Sequence, residues 1–380
     1  MTEKTNSNAS AHSPDRRKFL QAAGSGVVAS IVGGTLTTTS RAATSGSSRV
    51  VRWGIVGTGG IANSMARMIK LAESGEIAAV SSRRMETGQT FADRYDIGKT
   101  FDSWADMCAW DGVDAIYIAT PTSVREEIGV TAANNGKHVL GEKPFASFPS
   151  LRRITDACRD NGVGFMDGTH FVHHPRTAAI KKDIADRAGR PWSVASAFQF
   201  PLSDTSNIRL RPDLEPMGAI GDAGWYNMRA AVEYLSPGIN IDTVSGHIQR
   251  HPETGAAITG GGVISFDDGA TTTWNCGFDS GAVVMDLRIT GAGGVISLGD
   301  FLSQNRDGSA DYRFRKGGWG PGATDETVNV PSDKPGAVLM FEDFAAMIDN
   351  QEMFERSVRA SETTQRWLDA IWLSALENQR

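Results

Sequence analysis

Cysteine is scarce in this chain. Three thiols in 380 residues, Cys108, Cys158 and Cys276, are odd in number, far apart and without metal-ligand spacing. They are expected as buried thiols rather than a disulfide framework, and no metal centre is expected. Positive charge is not in excess either. Lys and Arg number 38 against 44 Asp and Glu, a formal charge of −6 with no long block of one sign, so a nucleic-acid partner has no electrostatic footing. Long hydrophobic runs are missing as well. The soft apolar run from Ala22 to about Leu36 is broken by Gly24, Gly26, Gly33 and Gly34, too short and too glycine-rich to span a membrane. No internal repeat is present. What remains is an ordinary globular composition, long enough for two domains with a core each.

The first 48 residues speak of location rather than fold. A polar stretch leads to Ser13-Pro14-Asp15-Arg16-Arg17-Lys18-Phe19-Leu20, then the soft apolar run, then Ser40-Arg41-Ala42 with small residues where a signal peptidase reads. This resembles a twin-arginine export signal, whose route carries folded proteins. It implies a periplasmic or otherwise extracytoplasmic protein, with no membrane partner after export. Residues 43–48, Ala-Thr-Ser-Gly-Ser-Ser, read as a linker.

From Arg49 an apolar run of strand length, ending at Val56, meets Gly57-Thr58-Gly59-Gly60-Ile61-Ala62 and then a helical pattern at Met65, Met68, Ile69 and Ala72. Strand, Gly-x-Gly-x-x-Ala, helix is the dinucleotide fingerprint in its required context. Gly57 permits the tight turn, Gly59 lets a pyrophosphate approach the backbone, and the helix N-terminus faces the phosphates. Further strands at Ile77–Val80, Ala115–Ala119 and His138–Gly141 alternate with helical segments, which predicts a doubly wound parallel sheet over 49–168. At the end of the second strand, where a carboxylate would select NAD, stands Val80-Ser81-Ser82-Arg83-Arg84. A hydroxyl and guanidinium groups suit a 2′-phosphate, so NADP is preferred over NAD. The alternative is that Arg83 and Arg84 simply open a solvated helix.

Two more motifs lie just past strand C-terminal ends: Thr120-Pro121-Thr122, and Gly141-Glu142-Lys143-Pro144. A third, Gly218-Ala219-Ile220-Gly221-Asp222-Ala223-Gly224-Trp225-Tyr226, follows in the second half. With Gly57–Ala62, these resemble the glucose-fructose oxidoreductase / inositol dehydrogenase / MocA family from about residue 49 to the C-terminus. The third motif matches that family's Asp-x-Gly-x-His, with Tyr226 in the histidine's place. The resemblance implies a catalytic Lys143, Tyr226 and Asp222. Lys143 would polarise the substrate oxygen or move its proton. Tyr226 would give and take that proton, with Lys143 lowering its pKa. Asp222 would orient Lys143 or bond a substrate hydroxyl, Glu142 would fix the loop, and Pro144 would aim the lysine. The tyrosine resembles the branch holding glucose-fructose oxidoreductase, pentose dehydrogenases and dihydrodiol dehydrogenases, which favours NADP. Thr122 replaces the family's usual Asn, Arg125 stands where His is common, and Glu215-Pro216-Met217 breaks the glycine run before Asp222. These departures place the substrate pocket in question rather than the chemistry.

Asp167-Gly168-Thr169-His170 with His173 and His174 holds three of the seven histidines at the domain junction, and His170 is a substrate-facing candidate. Arg209, in Asn207-Ile208-Arg209-Leu210-Arg211, is another. Over 169–380 a helix at 176–187 precedes strands at 192–200, 244–249, 257–266, 271–278, 283–290 and 294–298, and helices at 341–350 and 359–377 close the chain. Asp267-Asp268-Gly269 signals a hairpin. This predicts an α+β domain with a large, mostly antiparallel sheet, open on one face and suited to a homodimer or homotetramer. The leading reading is an NADP-dependent oxidoreductase of a sugar or polyol, its nucleotide bound before export and recycled by a second substrate. A redox-assisted glycoside hydrolase of the same fold, preferring NAD, is the alternative. A non-catalytic sugar- or nucleotide-binding protein is the third.

Overall fold

The computed structural model describes residues 49–379, so the export-signal reading lies outside the described residues. The first domain runs β1 (Val51–Val56), α1 (Gly60–Leu71), β2 (Gly75–Ser81), α2 (Met85–Tyr95), β3 (Thr100–Phe101), α3 (Trp104–Ala109), β4 (Ala115–Ile118), α4 (Arg125–Asn134), β5 (His138–Gly141), α5 (Phe148–Asp160) and β6 (Phe165–Asp167). Its six strands lie in the order β3-β2-β1-β4-β5-β6, all pairs parallel. The order reverses between β1 and β4, and ligands of such sheets bind at that switch point, beyond the strand C-termini. All four residues of β4 and five of six in β1 are buried. A parallel strand covered by helices on both faces loses the polar alternation of a half-solvated one.

The second domain holds α6 (Pro175–Asp183), β7 (Pro191–Gln199), α7 (Gly218–Asp222), α8 (Gly224–Tyr234), β8 (Ile241–Arg250), β9 (Ala257–Phe266), β10 (Thr271–Gly277), β11 (Val284–Gly291), β12 (Gly294–Leu298), β13 (Ala310–Lys316), β14 (Thr324–Val330), α9 (Gly336–Met347) and α10 (Gln351–Glu377). The eight strands order as β14-β13-β12-β11-β7-β10-β9-β8, antiparallel throughout except β7 with β10. The α/β class and the mostly antiparallel second sheet agree with the sequence reading, and Asp267-Asp268-Gly269 does turn β9 into β10, Gly269 at φ +83°.

β13 and β14 went unforeseen. β13 alternates buried Ala310, Tyr312 and Phe314 with outward Asp311, Arg313 and Arg315, and its charged outer face hides the apolar one. β14 is the sheet edge, polar and almost wholly exposed, so no apolar pattern marks it. α10 also begins eight residues earlier than the stripe at Leu368, Ile371, Trp372 and Ala375 suggests. Asn350 caps it, its side chain accepting from Met353 N at 3.0 Å, and its first turns carry polar residues.

The helices after the last strand bind the two domains together. α9 packs on α1, and Trp53 of β1 meets Phe344 and Phe341 at ring-centroid distances of 4.8 and 5.2 Å. α10 lies across β8, β6 and α5. It comes so close to β8 that a Cβ on Gly246 would stand 2.7 Å from the Ile371 carbonyl. Burying aromatic faces of this size stabilises the joint by about 2 kcal/mol per ring. The site loops at the strand ends are thereby held between rigid partners.

Candidate active site

The turn after β1 is glycine by necessity at one place. Gly57 sits at φ +106°, and a Cβ there would lie 2.9 Å from the Ala119 carbonyl oxygen. At Gly59 and Gly60 the situation is opposite: an added Cβ would meet nothing within 4 Å. Open space therefore lies before the N-terminus of α1, where unsatisfied backbone N–H groups favour an anion. Asn63 Nδ2 pins the turn, donating to the carbonyls of Thr58 at 3.1 Å and Gly59 at 2.9 Å. Ile61, one residue into the helix, leaves an apolar side chain exposed. At the end of β2 the Ser82 hydroxyl hydrogen-bonds with that of Thr87 at 2.7 Å, while Arg83 and Arg84 are exposed. Beyond β4, Thr120 Oγ1 is buried without a hydrogen-bond partner among the described residues. A dinucleotide fits these features. The open glycine cradle takes a pyrophosphate, the guanidinium groups suit a 2′-phosphate, and the unsatisfied Thr120 hydroxyl awaits a polar group.

Lys143, at the end of β5, is buried and reaches into the second domain. Its Nζ donates to Asp222 Oδ1 at 2.7 Å and to the Asp222 carbonyl at 2.8 Å. The other carboxylate oxygen, Oδ2, accepts from Arg209 Nε at 2.6 Å. Burial alone would raise the Asp222 carboxyl, but Lys143 and then Arg209 outweigh it and hold the group well below the usual carboxylate range. Asp222 thus orients the lysine, one of its two expected roles. An ammonium has three N–H donors; two are taken, and one is left for a ligand.

Tyr226 packs under this pair. The Lys143 ammonium lies over its ring, 4.6 Å from the centroid, a cation–π contact rather than a contact with the phenol oxygen. Phe198, His170 and Phe171 surround the ring at centroid distances of 5.5, 6.0 and 6.3 Å. Its hydroxyl makes no hydrogen bond to the described residues. Here one expectation is corrected. The Tyr226 pKa is not lowered overall; burial, then the negative charges of Glu142, Asp222 and Asp167, push it well above the ordinary phenol value. The phenol is therefore a proton donor at neutral pH, not a phenolate.

His170 is neutral too. Burial, then the positive charge of Lys143, brings its pKa down to about 4, so the ring can accept a hydrogen bond from a ligand hydroxyl. Of its neighbours, His173 pairs with Asp343 at 2.8 Å, and His174 caps α6 through Arg176 N and meets the Gly308 carbonyl. Among the described residues no group of three or more His, Cys, Asp or Glu could hold a metal ion. Glu142 is buried, accepts from Tyr117 OH at 2.7 Å, and is raised by that burial. It stands behind the loop it was expected to fix. The three cysteines are free and buried.

The departures from the family pattern meet one another. Arg125, buried, donates to the Thr120 carbonyl from Nε and Nη2 at 3.0 and 2.8 Å, to Thr122 Oγ1 at 3.0 Å, and to the Pro144 carbonyl. Thr122 in turn gives its backbone N–H and hydroxyl to the Glu215 carboxylate at 3.1 and 2.5 Å. A second buried cluster was not foreseen. Asp167 of β6 accepts from Arg229 of α8 at 2.6 Å and from Ser361 of α10, and Arg229 continues to Glu233 at 2.9 Å. Its sequence signal, an Arg229–Glu233 pair four residues apart on a mostly apolar helix, needs the fold to be read.

A doubly wound parallel sheet with a buried lysine reaching an Asp and a Tyr of the second domain suits an oxidoreductase. Residues 51–169 match the oxidoreductase family described by its NAD-binding Rossmann fold, the Gfo/Idh/MocA family. D-xylose 1-dehydrogenase (NADP(+)) 2 of Haloferax volcanii is 29% identical over 327 residues, 85% of this chain and 97% of the relative. scyllo-Inositol 2-dehydrogenase (NADP(+)) of Bacillus subtilis is 26% identical, over 81% and 93%. The fold is shared with a 3-ketoreductase from Actinomadura kijaniata, solved with NADP and TDP-benzene, at a TM-score of 0.78 and 22% identity over 86% of this chain and 98% of that one. It is shared too with an aldose-aldose oxidoreductase from Caulobacter crescentus, at 0.76 and 21% over 87% and 98%.

Proposed function

We propose that the chain is an NADP-dependent oxidoreductase of a sugar or polyol. The observation that carries this reading is the chain from buried Lys143 through Asp222 to the partly exposed Arg209, with one lysine donor and the Tyr226 hydroxyl left without a partner among the described residues. The relatives named as NADP-dependent xylose and inositol dehydrogenases support the substrate class and the nucleotide. When bound, the nucleotide supplies the hydride or accepts it.

The protein's own groups manage the oxygen. Lys143 and Tyr226 each offer one donor to a carbonyl oxygen entering the cleft, and these polarise it. As the oxygen gains charge, Tyr226 releases its proton to it, a role its raised pKa suits in the reducing direction. In the oxidising direction Tyr226 first gives its proton to solvent, a step its raised pKa makes costly at neutral pH, and the phenolate then takes the carbinol proton. His170 accepts from a neighbouring hydroxyl, and Arg209 offers donors not spent on Asp222. Arg83 and Arg84 would hold the 2′-phosphate.

Two further readings belong with this one. The first 48 residues make export in the folded state the route to an extracytoplasmic site. The outer face of the large sheet, with Ser245, Thr273 and Ala195 aligned through Val263 and Ala197 two residues further along its strand, suits a homodimer or homotetramer. The direct test releases nucleotide from the purified protein by denaturation and identifies it by mass, then titrates NADP and NAD with wild type and Arg83→Ala. Stoichiometric NADP, and an NADP affinity that falls about tenfold in the variant while NAD does not, supports the reading. Equal affinity of the wild type for both nucleotides would overturn the NADP part of it.

A further inference from the structure

Glu215, of the second domain, reaches the nucleotide-facing loop of the first. Its carboxylate takes both the backbone N–H and the hydroxyl of Thr122, and beside it Ser123 N donates to the Leu214 carbonyl at 3.2 Å. Thr122 is buried, and its oxygen is already engaged by Arg125, so its single proton goes to Glu215. Arg125 distributes the same restraint further. One guanidinium fixes the Thr120 carbonyl, whose side-chain hydroxyl is the unsatisfied buried group, and the Pro144 carbonyl, next to Lys143.

Followed through, the contacts close on themselves. Lys143 holds Asp222, Asp222 holds Arg209, and Arg209 belongs to the segment between β7 and α7 that also carries Glu215. Glu215 holds Thr122, Thr122 holds Arg125, and Arg125 holds the carbonyl of Pro144, covalently joined to Lys143. We propose that Glu215 is a positioning residue, a latch that ties the substrate-side segment to the Thr120–Thr122 loop and so holds the nucleotide site and Lys143 in one closed circuit. This rests on the nucleotide reading given above. It also explains why Thr122, Arg125 and Glu215 depart together from the family pattern: a threonine hydroxyl can serve Arg125 and Glu215 at once, as acceptor and donor.

The sign of the effect separates a latch from simple electrostatics. Glu215 is an acid near an anionic ligand, so its charge alone opposes nucleotide binding, and Glu215→Ala would tighten it. A latch predicts the reverse. In the nucleotide-free protein, hydrogen exchange of the segment 119–125 is expected to speed up about tenfold in Glu215→Ala. In fluorescence titration the affinity for NADPH is expected to fall about tenfold. Thr122→Val is expected to copy both changes, Thr122→Ser to restore wild-type behaviour, and the double variant Glu215→Ala/Thr122→Val to be no worse than either single one. Unchanged exchange in 119–125 overturns the latch. So does NADPH binding as tight as wild type or tighter, or additive effects in the double variant. A wild type that binds no NADPH overturns the cofactor reading instead, while the exchange measurement still decides the latch.

Discussion

Replacing Asp222 by Asn keeps its shape and removes its charge, leaving Lys143 and Arg209 facing each other across a neutral amide. Lys143 is 8% exposed and Arg209 38%, so the lysine's side of the chain is dry and the arginine's is partly screened. Breaking a buried pair by removing one partner costs about 3–5 kcal/mol; the screened Arg209 pair adds little, so about 3 kcal/mol is expected at neutral pH. The pH dependence carries the argument further. A carboxyl whose pKa in the folded state lies below its unfolded value contributes stability that is whole above the unfolded value, about 3.9, and is lost as pH falls toward the folded one. The difference in urea unfolding free energy between wild type and Asp222→Asn is therefore expected to be full at pH 6–7 and to shrink below about pH 4. Every other carboxylate is shared by the two proteins and drops out of the difference. A variant as stable as wild type at pH 7, or a gap that does not narrow in acid, refutes the reasoning.

Three other outcomes are expected. Tyr226→Phe keeps the ring contacts to Lys143, His170 and Phe198 and loses only a hydroxyl without a partner among the described residues. Stability should change by less than about 1 kcal/mol while kcat falls about 10²-fold or more; an unaltered kcat removes Tyr226 from proton transfer. Gly57→Ala forces a side chain onto φ +106° and into the Ala119 carbonyl, so melting should reveal a loss of about 2 kcal/mol or more together with weakened nucleotide binding. Burial pushes the thiols of Cys108 and Cys158 up to about 12 and raises that of Cys276. A thiol reagent at pH 8 should find none of the three until the protein is unfolded, and rapid labelling of the native protein contradicts that burial.

Much of this was legible before the fold was known, and the reason is local. Gly57, Gly59 and the Lys143-Pro144 pair act through backbone turns and strand ends, which sequence order alone specifies. Asp222 and Tyr226 lie four residues apart in one motif, so their joint arrival at the cleft is written in a single stretch. β13 was hidden because charged residues alternate with its buried ones, and β14 because an edge strand has only one neighbour and little apolar surface to announce it. The Tyr226 pKa was misjudged for a different reason. Sequence places a cation nearby but not whether it meets the phenol oxygen or the ring, and it does not reveal that Glu142, Asp222 and Asp167 from three separate segments gather around the same side chain.

The same limit explains why Thr122, Arg125 and Glu215 were seen singly as departures and not as a set. Ninety-three positions separate Thr122 from Glu215, and no periodicity or spacing links residues that far apart. What could have linked them is chemical rather than positional. A buried arginine at the head of α4 needs several acceptors, a threonine beside it can pass one of those bonds on, and a carboxylate must then stand at the end of the relay. Each departure leaves an unsatisfied group that the next one fills. Reverting any one of the three toward the family residue should therefore be worse than reverting them together, since the partly reverted site leaves a buried donor or acceptor without its partner.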